Sequence, residues 1–291
     1  MKLTEFNILF TILSILIAFF VDNITQNFMA YSLIVSIGIL HGANDISLIH
    51  YIKKNTKSEF KYILIYIAVV AFMSILFIKA ETLALLLFVV VSCYHFGEQH
   101  FYHKFSSSRF LIKMLYISYG VLVFGLIFYF NATETIKIIY ELTEVKLTKN
   151  LFLYLVICGS FTTTLFTFLN LKFLNHSFNW FEEVFLIILF LVAFKAASLI
   201  WAFTIYFVFW HSIPSLKDQI KKLYGKISKK NILIYIKGSF VNWLVSCLGL
   251  IFLYYVTDYL KFSFITLFFA FLAAITIPHV IVMFFLNKKT E

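Results

Sequence analysis

The feature that most constrains this chain is a succession of apolar runs of about twenty residues, each the length a helix needs to cross about 30 Å of hydrocarbon. On that ruler the candidate spans are 6–21, 28–52, 62–79, 82–103, 109–130, 151–172, 181–194, 196–213, 232–257 and 262–286. The pair 181–194 and 196–213 reads either as one long helix or as two helices separated near Lys195. Eight to ten transmembrane helices are therefore expected, in an all-α polytopic membrane bundle forming a single integral-membrane domain over residues 1–291.

Composition excludes the soluble alternatives. With 62% hydrophobic and 13% charged residues and a mean hydropathy of +0.93, no segment is long and polar enough for a soluble domain. The net charge of +10 does not indicate nucleic-acid binding, because the lysines fall between the apolar runs. Cys93, Cys158 and Cys247 lie inside apolar runs without paired spacing, so neither a disulfide framework nor a zinc motif is expected. The first run, about Phe6 to Val21, has the length of a signal-peptide core. It lacks a small-x-small cleavage site and Asp22-Asn23 follows directly, so it reads as a first helix.

The connections set the orientation. Lys53, Lys54, Lys57 and Lys61 form one basic connection, and Lys104, Arg109 and Lys113 flank a second. A third runs from Lys217 to Lys230, and Lys288-Lys289 closes the chain. The alternate connections, 22–27, 79–81, 131–150 and 258–261, are neutral or acidic. Ten spans make this alternation consistent, with both termini and every basic loop cytoplasmic in a plasma (inner) membrane. Within 131–150, Ile136, Ile139, Tyr140 and Thr143 recur at helical spacing, which predicts an amphipathic surface helix.

Four polar islands interrupt the apolar runs. They are His41-Gly42-Ala43-Asn44-Asp45, Ser92 to His100, Trp210-His211-Ser212-Ile213-Pro214-Ser215, and Pro278-His279. Ionisable groups at membrane depth are costly and mark function. In the ten-span topology His41, His95, His211 and His279 all fall on outward-to-inward helices, 6 to 12 residues before the next cytoplasmic lysine. Their depths then differ by about 9 Å at most, at 1.5 Å per residue. A shared metal would account for that common depth.

A single membrane histidine more often makes a hydrogen bond between helices than binds a metal. The shared depth and the nearby carboxylates tip His41 and His95 toward ligation. Asp45, four residues after His41, is expected to take that imidazole's other N–H, and Glu98, three after His95, to do the same. Gly42 and Gly97 permit close helix approach, and Pro278 predicts a bend just before His279. His50, His100 and His103 sit beside basic loops, where a solvated interfacial role is expected, and His176 is given none.

The segments Ile39 to Asp45, Tyr94 to Gln99 and Trp210 to Ser215, with the late Pro278-His279 pair, resemble the Brp/Blh family of membrane-integral β-carotene dioxygenases. The resemblance covers nearly the whole chain in order and spacing. It implies Fe(2+)-dependent central cleavage of β-carotene by O₂ to two retinal molecules, with a rhodopsin as recipient of the retinal. It implies iron ligation by histidines matching His41, His95 and His211. The family pattern has a further histidine one turn beyond the last of these, where this chain has Ser215. A serine hydroxyl is a poor Fe(II) ligand beside imidazoles, and His279 shares the depth. The expected ligand set is therefore His41, His95, His211 and His279, with Asp45, Glu98 and Ser215 as hydrogen-bonding supports. No side-chain general base is required. Some of the 38 Phe and 17 Tyr would line a tunnel suited to a polyene. Competing readings are a di-iron membrane hydroxylase or desaturase, which would need clustered histidine pairs, and a transporter using His41, Asp45 and Glu98 as a proton relay. A retinal receptor with Lys195 as Schiff base would need a carboxylate counter-ion on a neighbouring span.

Overall fold

The computed structural model describes residues 3–52, 56–107, 109–260 and 262–290. Met1, Lys2, Lys53, Lys54, Asn55, Ser108, Lys261 and Glu291 lie outside them, and with them part of the first basic connection and of the 258–261 connection. The elements are helices: α1 (Leu3–Phe20), α2 (Asn23–Leu33), α3 (Ile39–Gly42), α4 (Asp45–Ile52), α5 (Thr56–Lys79), α6 (Glu81–Phe101), α7 (Phe110–Phe130), α8 (Ala132–Thr143), α9 (Lys149–Leu169), α10 (Trp180–Ala196), α11 (Leu199–Thr204), α12 (Ile213–Tyr224), α13 (Lys229–Leu260) and α14 (Phe264–Thr290). No β-strand occurs among the described residues.

Nine helices among the described residues are long and apolar enough to cross a membrane. The tenth apolar helix, α10, has 17 residues, at the short end of the spanning range. The 181–213 region is thus two helices, divided at Ala197-Ser198, just beyond Lys195. A break between two helices exposes backbone groups, and here side chains meet them. The Ser198 amide donates to Gln26 Oε1 at 3.0 Å, and its hydroxyl donates to Asn27 Oδ1 at 2.8 Å. The amphipathic helix expected in 131–150 is α8. Between α1 and α2, Asp22 caps the second helix, accepting from the amides of Ile24 at 2.9 Å and Thr25 at 3.0 Å. The Thr25 amide and then its hydroxyl hold the Asp22 carboxyl below its usual range.

Two stretches wind as π-helix rather than α: Ile34–Gly38, just before α3, and Ile205–Ser212, between α11 and α12. The first ends three residues before His41 and the second contains His211. Such widened turns recur at functional sites because they re-aim a side chain without ending the helix.

The chain forms two compact units. One comprises Met1–Ile34, Ser92–Tyr140 and Lys146–Pro214; the other comprises Val35–Val91, Glu141–Val145 and Ser215–Glu291.

In the first unit, α6 and α7 touch through glycine. A Cβ on Gly97 would lie 2.0 Å from the Tyr116 carbonyl oxygen, and one on Gly120 would lie 2.1 Å from that of Cys93. Only hydrogen fits at either position. α1 is tied in by two indoles: Trp201 Nε1 donates to the Ser14 carbonyl at 3.0 Å and Trp210 Nε1 to Thr11 Oγ1 at 2.9 Å. Thr11 and Ser14 are buried accordingly.

His100 departs from the expected solvated role. Its side chain is 6% exposed and its Nε2 lies 2.7 Å from Glu183 Oε2. Lys104 Nζ bonds the other Glu183 oxygen and stands 3.0 Å from the same ring nitrogen. The reason is composition: Glu183 on α10 and Lys104 after α6 would each be an unpaired charge in an apolar setting, and together they neutralise. In the second unit, Leu48 and Ile49 of α4 pack on Val282, Met283 and Leu286 of α14.

Candidate metal centre

All four island histidines are buried, at 5% (His41), 2% (His95), 1% (His211) and 4% (His279) exposure. Each unit brings two of them together.

In the second unit, His41 lies on the four-residue α3, between the π-helical stretch and a turn at Ala43-Asn44. Its Nδ1 bonds the carbonyl oxygen of Gly38, one turn back. That bond makes Nδ1 the protonated nitrogen and assigns the lone pair to Nε2. His279 arrives on α14, which continues as helix through Pro278. Its Nδ1 donates to Asp45 Oδ1 at 2.8 Å, so again Nε2 carries the lone pair. The other carboxylate oxygen of Asp45 accepts from the Tyr66 hydroxyl at 3.1 Å. The two imidazoles meet edge to face, with centroids 4.7 Å apart and planes at 85°.

Asp45 therefore serves His279, not His41 as the sequence suggested. The i,i+4 rule holds only on a continuous helix, and here the turn at Ala43-Asn44 intervenes. Gly42 is likewise not forced by sterics: a Cβ there would meet His279 Nδ1 at 3.7 Å, an ordinary contact.

In the first unit, His95 on α6 and His211 in the π-helical stretch meet in the same way, with centroids 4.6 Å apart and planes at 70°. Phe96 and Phe207 pack against His211, at 4.9 and 5.8 Å between centroids. Glu98 Oε2 lies 3.8 Å from His95 Nδ1, longer than a hydrogen bond. Its other oxygen accepts from Tyr94 at 3.2 Å. Glu98 thus stands beside His95 without a hydrogen bond from that Nδ1.

Ser215 is fully buried, and its hydroxyl accepts from Gln219 Nε2 at 3.2 Å. Three polar participants have no sequence signature. Tyr66 looks like any other tyrosine of an apolar run, Gln219 lies on an amphipathic helix among lysines, and Tyr235 opens a long apolar helix. Only their distant partners single them out. Beside Tyr66 and Pro278 is an apolar pocket of about 290 Å³, lined also by Ile49, Tyr62, Val69 and Ile281.

The donor set offered by the islands is neutral imidazole without thiolate. It suits a divalent first-row ion, Fe(II) and Zn(II) included. The carboxylate-to-imidazole bond at His279 is the arrangement that orients metal-bound histidines and raises their basicity. A family model described as beta-carotene 15,15'-dioxygenase matches residues 32–287, a segment that contains all four histidines. No curated relative and no solved structure matches the chain.

Proposed function

The chain belongs to the beta-carotene 15,15'-dioxygenase family over most of its length, and from that premise we propose that it cleaves β-carotene at its central double bond with O₂, giving two retinals. We further propose that it is one integral-membrane domain of the plasma membrane with both termini cytoplasmic. In this reading His41, His95, His211 and His279 together hold one Fe(II), with Asp45, Glu98 and Ser215 in support.

The observation that carries the reading is the buried Asp45–His279 bond beside His41. Two imidazoles with tautomers fixed by their Nδ1 bonds present Nε2 lone pairs, which is what a cation requires. Fe(II) bound there would supply affinity for O₂ and redox chemistry beside a double bond. The chain's own residues do the rest. Asp45 and the Gly38 carbonyl hold the imidazole protons at Nδ1. Tyr66 keeps Asp45 from swinging away. Phe96 and Phe207 exclude water from around His211, and their π-faces suit a polyene developing cationic character. The pocket beside Tyr66 is large enough for a bulky apolar end group, so the carotenoid's hydrocarbon can be desolvated close to Asp45. Retinal, being apolar, leaves into the bilayer, where a rhodopsin can take it up.

Expression in a β-carotene-producing bacterium, with chromatography for retinal and metal analysis of the purified protein, tests the reading. Retinal together with about one iron per chain supports it. Unconsumed β-carotene and a metal-free protein overturn it, and would favour the proton-relay transporter.

A further inference from the structure

The irregular backbone around His41 presents carbonyl groups to side-chain donors in the interior. In the second unit, side chains from α12 and α13 meet them. Gln219 Nε2 donates to the carbonyl of His41 at 3.0 Å, and Tyr235 OH donates to Gln219 Oε1 at 2.6 Å. Gln219 also reaches Ser215 Oγ. Seven and eight residues beyond Tyr235, Asn242 Nδ2 donates to the Ala43 carbonyl at 2.8 Å and Trp243 Nε1 to that of Val35 at 2.7 Å. Tyr235 and Asn242 are two helical turns apart, so they share a stripe of α13. Ser215, Gln219 and Tyr235 are 0–1% exposed.

Gln219 differs from the other two donors in its target. Asn242 and Trp243 brace the flanks of the break, whereas Gln219 at 3.0 Å, and more loosely the Tyr235 hydroxyl at 3.4 Å, hold the peptide of the histidine itself. Its amide can face only one way: the His41 carbonyl accepts, so Nε2 must point there, and Oε1 then takes the Tyr235 proton. Both atoms of the buried Gln219 amide have partners, and a satisfied buried group holds one geometry.

We infer that Gln219 is a positioning residue for metal binding, setting the orientation of His41 through its backbone, with Tyr235 and Ser215 fixing the Gln219 amide in turn. The inference rests on the metal-centre reading above. It accounts for how a histidine on a four-residue helix between two irregular stretches can be held firmly enough to ligate. It also gives Ser215 a task that requires no contact with the metal.

The test measures Fe(II) affinity by chelator competition on the detergent-solubilised full chain, together with the ligand-field bands of the Co(II)-substituted protein. Gln219→Met keeps the side-chain length and removes all three hydrogen bonds; Tyr235→Phe removes only the hydroxyl, which orients Gln219 and also lies 3.4 Å from the His41 carbonyl oxygen. Gln219→Met is expected to weaken Fe(II) binding 10–100-fold, the range for residues that orient ligands, and to shift the Co(II) bands while helical content is retained. Tyr235→Phe is expected to move both readouts less and in the same direction. Ser239→Ala, which loses only a bond to the Tyr235 carbonyl, should leave both unchanged. If Gln219→Met binds Fe(II) as the parent does, with unaltered Co(II) bands, Gln219 is a packing residue and the inference fails. Should Gln219→Met not fold, Tyr235→Phe decides, and parental affinity and bands in it overturn the inference. A parent protein that takes up neither metal overturns the metal-centre reading instead.

Discussion

At the scale of single residues, the proposed centre divides into groups that would offer a nitrogen and groups that would aim it. Asp45→Asn keeps the shape but cannot accept from His279 with a full charge, so Fe(II) affinity or activity should fall 10–100-fold without vanishing. His279→Ala removes a donor outright and should abolish iron and retinal formation, measured by metal analysis and chromatography. Ser215→Ala should leave iron bound, because its hydroxyl faces Gln219. Retained iron in His279→Ala would reduce the ligands to three. The burial of the four histidines is legible from sequence, because each interrupts an apolar run, where an imidazole is costly to place without a partner. Their supporting partners are not. Spacing along the chain pairs Asp45 with the wrong imidazole, since it assumes an unbroken helix. His100 reads as solvated from its neighbours because Glu183 lies 83 positions away.

At the scale of elements, apolar run length is enough to place the helices, since the bilayer imposes one length on all of them. The π-helical stretches escape such a reading, as no local residue pattern distinguishes one widened turn from a regular one. The closeness of α6 and α7 is half visible: Gly97 stands out in a polar island as a contact, while Gly120 sits unmarked in an ordinary apolar run. Gly97→Val should be severe, because its Cβ would overlap backbone rather than a flexible side chain. Overpacking of this kind costs about 1–3 kcal/mol or more. The expected outcome is loss of folded protein on size-exclusion chromatography. α10 poses a separate question. Its 17 residues rise only about 25 Å, yet the lysine pattern keeps every basic loop on one side only if α10 crosses. Reporter fusions after Lys230 and within 131–150 should therefore report opposite faces. The same face for both would mean that α10 does not span.

At the scale of the whole molecule, the family segment begins at residue 32, which leaves α1 and most of α2 outside it. Those helices nevertheless receive the indole protons of Trp201 and Trp210 and the hydroxyl and amide protons of Ser198. Trp210 immediately precedes His211 in sequence. Cutting the chain back to its recognisable part would therefore leave two buried indoles and one helix start without acceptors, each costing about 1–3 kcal/mol. For anyone transplanting this protein into another host, the practical unit is longer than the motif-bearing segment. A tag or fusion partner belongs ahead of Leu3, and a trimmed version starting near Ile34 is expected to be made and then degraded.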